Sequence, residues 1–291
     1  MDYFLHLFIM VLIYASLTVS LDLMIGHTGI LSFGHASFFG VGAYATAILT
    51  VYAGLDWFSA MLLAFVIGAG VAALIGLPTL RLGGDYFILA LFGFSLIVTS
   101  LIINMEWLTN GPFGIRGVPR PSLGPLQVQS GFGMAAFTFV TAAFIFLVHW
   151  RFATSPLKAA LHAIRDDEAV AMSLGVDTVR TKIVIFALGG GFAALSGALA
   201  AFYFRFVSAD GYGLQTIILL WAMLFVGGNC SLAGSLVGPA VLVLFPEIFR
   251  FVGGQSCDIA HIQEAMYGLL LILLMLFRPQ GLVGARAGLR A

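Results

Sequence analysis

Long stretches without a charged residue dominate this sequence. The run 57–80 contains no Asp, Glu, Lys or Arg, and neither does the run 211–246. A helix that spans a bilayer needs about 20 apolar residues, because the hydrocarbon core is about 30 Å thick and each residue rises about 1.5 Å. The runs therefore predict a chain that crosses a membrane several times.

Charges and glycine-rich breaks divide the chain into about eight predicted spans, give or take one. We expect an all-α, polytopic transmembrane helix bundle with broken or re-entrant elements near 26–43 and 211–228. A last apolar run, 265–277, is short for a span. The predicted spans are 3–21, 36–55, 57–80, 86–105, 132–150, 183–204 and two within 211–246, which Gly227-Gly228-Asn229 divides.

Composition excludes a soluble globular protein. Of the 291 residues, 61% are hydrophobic and 9% are charged, whereas soluble domains average about 25% charged residues. The 13 Lys and Arg residues balance the 13 Asp and Glu residues, so we expect no nucleic-acid partner. Cys230 and Cys257 have neither a CxxC nor a zinc spacing, and we interpret them as apolar fillers. No basic segment precedes the first run, so we expect no cleavable signal peptide.

The distribution of basic residues predicts the orientation, because cytoplasmic loops are enriched in Lys and Arg. With the N-terminus outside and the C-terminus cytoplasmic, the outside receives Arg116, Arg120, Arg205 and Arg250. The cytoplasm then receives nine of the 13 basic residues: Arg81, Arg151, Lys158, Arg165, Arg180, Lys182, Arg278, Arg286 and Arg290.

One polar segment, 151–182, separates the fifth and sixth spans and is the predicted cytoplasmic loop. Ser155 before Pro156 is typical of a helix start, Gly175 of a helix end, and Asp177 caps the next helix. We predict a helix over 156–174. Its apolar stripe either packs on the protein's own helix ends and the lipid interface, or docks a cytosolic partner. The stripe contains Leu157, Leu161, Ile164, Ala171 and Leu174.

Five patterns in this order resemble the LivM-type permease subunit of bacterial branched-chain amino-acid ABC transporters. Two patterns depart from the family. Asn110 stands where relatives have Gly, and Glu168-Ala169 precedes Gly175 by one residue more than the general docking signature of ABC permeases. The patterns are GHTGILSFGHASFFGVGAY (26–44), RLGGDYF (81–87), TNGPFGI (109–115), the loop 155–175 and LFRPQGLVG (276–284).

The resemblance implies one permease domain over 1–291, with a coupling loop at 151–182, in the bacterial inner membrane. It implies a homologous second permease, two cytosolic ATPases and a periplasmic binding protein that delivers solute to the loops 109–120 and 206–213. The implied solute is a branched-chain amino acid, although relatives also move other amino acids, urea, amides and aromatic acids. The chain lacks GxxxxGK[ST], so we expect no catalysis and no cofactor of its own, with ATP bound by the partner subunits.

Candidate site residues form two groups. The predicted ATPase-coupling residues are Leu157, Leu161, Ile164, Arg165, Glu168 and Gly175. The predicted translocation-path residues are His27, Thr28, Gly29, Ser32, Gly34, His35, Thr109 and Gly111. The glycines of 26–42 indicate either a bent element that lines the path or tight helix packing.

Other polar residues receive structural interpretations. His27 and His35 have only Asp22 as a nearby acid, so we predict no metal site. Asp22 and Asp85 lie at predicted segment ends, which favours interfacial or capping roles over buried functional charges. Small residues of the sixth span predict a packing face: Gly190, Ala194, Gly197, Ala198 and Ala201.

Two rival functions remain open. A secondary transporter or channel would need ionisable residues within the spans to carry a coupling ion, and the uncharged runs argue against it. A membrane-embedded enzyme would need clustered His and acidic residues within the spans, and only His27 and His35 approach this.

Overall fold

The computed structural model describes residues 2–80, 82, 84–123, 126–127, 131–253, 268 and 281–283. Those residues form a helical bundle, which confirms the predicted fold class. Five helices are long and apolar enough to cross a membrane, and three more are apolar but shorter. The helices are α1 (Asp2–Thr28), α2 (His35–Val51), α3 (Trp57–Thr79), α4 (Gly84–Asn104), α5 (Glu106–Thr109), α6 (Gly131–Ala153), α7 (Leu157–Asp166), α8 (Glu168–Ser173), α9 (Thr178–Phe204), α10 (Leu214–Gly227) and α11 (Leu232–Gly253).

Helix α9 is the centre of the bundle and packs on α2 and α3. A Cβ on Gly197 would lie 2.0 Å from the Phe39 carbonyl oxygen, and one on Gly42 would lie 2.1 Å from the Ala194 carbonyl oxygen. Backbones approach this closely only where small residues face each other. The predicted small-residue face of the sixth span is therefore confirmed as part of the core.

Both predicted breaks occur. The first lies at 29–34, where α1 ends and α2 begins, and the second at 228–231, between α10 and α11. Helix α10 has 14 residues, or about 21 Å at about 1.5 Å per residue, less than the hydrocarbon thickness of about 30 Å. Helix α10 is therefore too short to cross the hydrocarbon core alone, and the turn after it packs against the end of α1, where the Cys230 N–H donates to Asp22 Oδ1.

Helix α1 is longer than predicted. It continues past Leu21 to Thr28 and carries Asp22 inside the bundle, with none of its surface exposed. The interfacial or capping role predicted for Asp22 is wrong, because the side chain is fully buried six residues before the end of α1. Its Oδ1 accepts a hydrogen bond from the Cys230 backbone N–H, 2.9 Å away. Asp85, by contrast, lies exposed in the first turn of α4, as predicted.

Two short β ladders accompany the helices, with strands β1 (Ile115–Arg116), β2 (Ser122–Leu123), β3 (Leu126–Gln127) and β4 (Phe206–Val207). Strand β1 pairs antiparallel with β4, and β2 with β3. The Arg116 guanidinium lies over the Phe206 ring, 5.5 Å from its centroid. The loops that follow α4 and α9 are thereby joined into one unit at the end of the bundle opposite the segment 151–182.

The segment 151–182 forms two helices rather than the single predicted helix. Asp167 leaves helical geometry, with φ −157° and ψ 109°, and its carboxylate accepts hydrogen bonds from the backbone N–H groups of Ala169 and Val170. The side chain of Ser155 donates to the Phe152 carbonyl instead of capping α7. The stop at Gly175 (φ +85°) and the Asp177 cap on α9 are confirmed.

Candidate coupling and translocation site

Arg165 joins the polar segment to both breaks. Its Nη1 donates to the Gly26 carbonyl oxygen at 2.6 Å and to Cys230 Sγ at 3.1 Å. Cys230 Sγ also donates to the Gly26 carbonyl oxygen at 2.7 Å. One cationic side chain of α7 thus holds the end of α1 and the turn between α10 and α11, and hydrogen bonds to charged groups are stronger than neutral ones.

Three buried ionisable groups lie beside this junction. His149 of α6 places Nε2 3.5 Å from Asp22 Oδ2 and 3.3 Å from His27 Nε2. His149 Nδ1 lies 3.2 Å from the Val19 carbonyl oxygen. The ring of His162, on α7, stands 5.7 Å from the ring of His27. The sequence interpretation assigned His27 no partner within the spans, and the fold supplies one from a helix 122 residues away.

The first break is polar and tightly packed. Its Ser32 is fully buried, and the Ser32 carbonyl oxygen faces Trp221 Nε1 of α10 at 3.4 Å. His35 Nε2 lies 2.8 Å from Ser20 Oγ, and Thr28 Oγ1 donates to the Met24 carbonyl. Gly34 precedes α2, and a Cβ there would lie 3.3 Å from the Leu91 carbonyl oxygen. The break therefore has features of both sequence interpretations, a bent polar element and close packing.

A cavity of about 300 Å³ opens between the first break and α7. Its lining includes glycine and charged residues, among them Gly29, Asp85, Arg165 and Lys182. Gly29 has φ +71°, and a Cβ there would lie 3.1 Å from Arg165 Cγ. A larger cavity of about 890 Å³ lies among α3, α6 and α9, but its lining is almost entirely aliphatic and aromatic. The smaller cavity is the more polar of the two.

Thr109 and Gly111 do not meet the rest of the predicted path residues. They follow α4, whose 21 residues rise about 30 Å from the end that borders the smaller cavity. Thr109 Oγ1 donates to the Ile102 and Met105 carbonyl oxygens, so its hydroxyl is used by the local backbone. The two residues belong to the β1–β4 end of the bundle.

The predicted coupling residues divide by burial. Leu161 and Ile164 are 1% and 4% exposed and pack inside the chain, and Leu157 is half-buried. Glu168 forms an ion pair with Lys182 of α9, with Oε2 and Nζ 2.6 Å apart. The apolar side chains that project from this segment are instead on and after α8: Val170, Met172 and Leu174, at 52%, 53% and 75% exposure.

Burial lowers the pKa of His162 below its usual range, and the charges of Lys158 and Arg165 lower it further, while Asp166 opposes them. Its Nε2 is buried without a hydrogen-bond partner among the described residues. Neutral His162 therefore faces the buried His27 ring at the base of the segment.

Sequence reasoning missed His149, Cys230 and Trp221 because each lies more than 100 residues from the first break. The sequence around each of them shows only that it lies in an apolar run, and a polar residue in an apolar run has many structural explanations. The strongest available signal was the low charge of the chain, which makes any His or Asp within a span notable.

Comparison with known proteins shows a family relationship across almost the whole chain. Residues 3–277 match the family described as branched-chain amino acid transport system / permease component. The chain is 31% identical to the high-affinity branched-chain amino acid transport system permease protein LivM of Salmonella typhimurium, over 94% of this chain and 68% of that protein. The LivM of Escherichia coli is 30% identical over the same shares.

One further relative belongs to another import system. The autoinducer 2 import system permease protein LsrC of Salmonella typhi is 25% identical over 72% of this chain and 54% of that protein. No solved structure matches the chain.

Proposed function

The chain belongs to the family of branched-chain amino-acid transport permeases, and from that premise we propose that it is the transmembrane subunit of an ATP-driven importer for branched-chain amino acids. The observation that carries the mechanism is the Arg165 junction, since it connects an exposed loop to both broken elements of the bundle. The names of LivM relatives support the substrate class.

The junction provides a mechanical route for coupling. A cytosolic ATPase that moves the segment 151–182 would pull α7, and Arg165 would transmit that displacement to the Gly26 carbonyl and Cys230. Gly26 lies in the last turn of α1, just before the first break, and Cys230 lies in the second break. Irregular backbone is tolerated at such breaks where it is buried in protein or lines a cavity. Movement of the breaks would open or close the cavity of about 300 Å³.

The docking surface for the ATPases is the exposed apolar set Val170, Met172 and Leu174. Leu161 and Ile164 are buried in the chain, so they support α7 rather than contact a partner. Two ATPases require a second docking segment, which a homologous second permease would supply. ATP binds the partners, and this chain acts as a non-catalytic subunit.

The opposite end of the bundle suits a periplasmic binding protein. The β1–β4 ladder joins the loops 109–120 and 206–213 into one surface, and Gly117 N–H donates to the Arg205 carbonyl oxygen at 3.1 Å. This surface would receive the loaded binding protein at the periplasmic end of the bundle, and the solute would pass from there toward α2 and α10.

The orientation with the N-terminus outside follows from the position of the basic segment 151–182. Tyr3 bonds to Glu247 near the start of α1, whereas Leu282 N–H donates to the Val226 carbonyl at 2.8 Å, close to the Arg165 end. Tyr3 and Leu282 therefore lie at opposite ends of the bundle, which supports a cytoplasmic C-terminus. Opposite sides require that the chain crosses the membrane an odd number of times. The apolar run 265–277 lies outside the described residues.

Uptake into proteoliposomes tests the proposal. The vesicles contain this chain, its partner permease and the two ATPases, with the binding protein outside and ATP enclosed or omitted. Labelled leucine, urea and an aromatic acid are compared. ATP-dependent leucine uptake is the expected result. Uptake that ignores ATP and follows a proton or sodium gradient would overturn the proposal in favour of a secondary transporter.

A further inference from the structure

Asp22, His27 and His149 form a compact buried cluster at the end of the bundle near α7. Their exposures are 0%, 2% and 3%, and one ligand atom from each lies within 4.8 Å of the others. Asp22 Oδ2 has no hydrogen-bond partner among the described residues, although Oδ1 is paired with the Cys230 N–H. A buried carboxylate oxygen without a donor is costly, so a cation beside it would stabilise the cluster.

The hydrogen bonds around His149 determine which of its nitrogens faces the cluster. Nδ1 lies 3.2 Å from the Val19 carbonyl oxygen, which can only accept, so Nδ1 carries the hydrogen. In neutral His149, Nε2 then presents its lone pair to Asp22 Oδ2 at 3.5 Å. Two lone pairs facing each other in a buried site are unfavourable unless a positive group lies between them. A backbone carbonyl behind a histidine is also the usual second partner of a metal-bound imidazole.

We propose that Asp22, His27 and His149 bind one divalent transition-metal ion of the zinc type. Ligands at about 2.0–2.1 Å from a tetrahedral ion lie about 3.3 Å apart. The His27 Nε2–His149 Nε2 distance of 3.3 Å and the His149 Nε2–Asp22 Oδ2 distance of 3.5 Å match that edge. Two imidazoles and one carboxylate suit zinc or cobalt, whereas magnesium and calcium prefer oxygen ligands.

The proposed metal site joins different helices from those that the neighbouring Arg165 junction joins. Asp22 and His27 belong to α1, and His149 belongs to α6, two residues before the segment 151–182 begins. The ion would therefore fix α1 against α6, with the fourth coordination position left for water. The site replaces the sequence expectation of no metal, which rested on the absence of a third ligand near His27.

Metal binding to the full chain in lipid nanodiscs tests the proposal, after purification by a tag without histidine. Cobalt serves as the spectroscopic probe, because a tetrahedral Co²⁺ site with nitrogen and oxygen ligands absorbs far more strongly than the octahedral aqueous ion. We expect one tetrahedral Co²⁺ per chain, displaced by Zn²⁺ and unaffected by excess Mg²⁺. Zn²⁺ should also raise the Tm, because a ligand bound only to the folded state stabilises it.

Variants locate the ion. His149→Gln and Asp22→Asn should each lower Zn²⁺ affinity by roughly tenfold or more, since even outer partners of metal ligands cost about 10–100-fold. His35→Gln is the matched control, because His35 is equally buried and is paired with Ser20 outside the cluster. It should keep both the tetrahedral spectrum and the Zn²⁺ affinity.

Three results would overturn the proposal: no tetrahedral cobalt in the wild-type chain, a cobalt signal that His149→Gln and Asp22→Asn retain, or a signal that only His35→Gln removes. The first result is measured on the wild-type chain, so it tests the metal site even where a substitution prevents folding. In that case the cation between Asp22 and His149 is a proton. None of these results bears on ATP-dependent uptake, so the importer proposal is tested separately.

Discussion

At the scale of single residues, Arg165 makes several of the contacts that hold this bundle together. The predicted path residue Gly29 and the missed residue Cys230 both touch Arg165. Gly29 was visible in the sequence because glycine allows the positive φ that a break requires. Cys230 was read as an apolar filler because nothing near it in sequence shows that its backbone N–H binds Asp22.

A methyl group at Gly197 tests the close α2–α9 approach. Gly197→Ala places a Cβ 2.0 Å from the Phe39 carbonyl oxygen, so overpacking should lower the unfolding free energy by about 1–3 kcal/mol. Gly70→Ala is the control, because nothing lies within 4 Å of its Cβ, and a better helix former should leave stability equal or slightly higher. Thermal unfolding in detergent measures both. Equal midpoints for the two variants would contradict this packing.

His162 predicts a pH dependence of stability. Its pKa is lowered in the folded state, mainly by burial, so the unfolded chain binds the proton more tightly. The contribution is fully present above about pH 6.5 and is lost as pH falls below that unfolded pKa. His162→Gln should flatten the decline of unfolding free energy below pH 6.5. An identical decline in wild type and His162→Gln would show that this histidine does not contribute.

The positions of the long helices were predicted better than the residues at which helices end. Spans such as 57–80 are long and uncharged, and the structure forms α3 over Trp57–Thr79. The split of 211–246 at Gly227-Gly228-Asn229 also agrees with α10 and α11. The single helix predicted over 156–174 is wrong because the Asp167 carboxylate caps a new helix, a local competition that periodicity does not reveal.

The proposed docking surface, on α8 and at Leu174 directly after it, can be tested by substitution. Leu174→Glu places a charge on a side chain that is 75% exposed, so the chain should fold normally but lose ATPase binding and ATP-dependent uptake. Desolvating an unpaired charge in an apolar interface costs several kcal/mol, which corresponds to at least about a hundredfold weaker binding. Pull-down of the ATPase by the permease complex measures the loss.

Two companions make that result specific. Leu174→Met keeps an apolar side chain and should bind the ATPase as the wild type does. Leu161→Glu places a charge at a site that is 1% exposed and should reduce the amount of folded protein. ATPase binding by Leu174→Glu at wild-type strength would refute α8 as the docking surface.

The whole molecule joins two ends of different character. One end holds the exposed loop helices α7 and α8 and the Arg165 junction, and the other holds the β1–β4 ladder. Composition and charge distribution predicted a polar loop and the side of the membrane on which it lies, since both depend on counts along the chain. The meeting of residues 22, 27, 149, 165 and 230 depends on how five elements pack, and no local pattern encodes it.

Sided labelling tests the orientation of the molecule. In a background without native cysteines, Phe113→Cys should react with a membrane-impermeant maleimide in intact spheroplasts, because Phe113 is 74% exposed at the β1–β4 end. Ser173→Cys, at the opposite end, should react only after permeabilisation. The reverse pattern would place the segment 151–182 outside.

The coupling ratio of an Arg165 variant tests the central claim most directly. In the reconstituted complex, leucine taken up per ATP hydrolysed is compared for wild type, Arg165→Gln and the control Lys158→Gln, an exposed cation on the same helix. Loss of hydrogen bonds to a charged group costs about 1.5–3 kcal/mol, so Arg165→Gln should keep ATP hydrolysis while uptake per ATP falls by about tenfold or more. Lys158→Gln should keep the wild-type ratio. An unchanged ratio in Arg165→Gln would contradict the proposal that this side chain transmits ATPase movement to the two breaks.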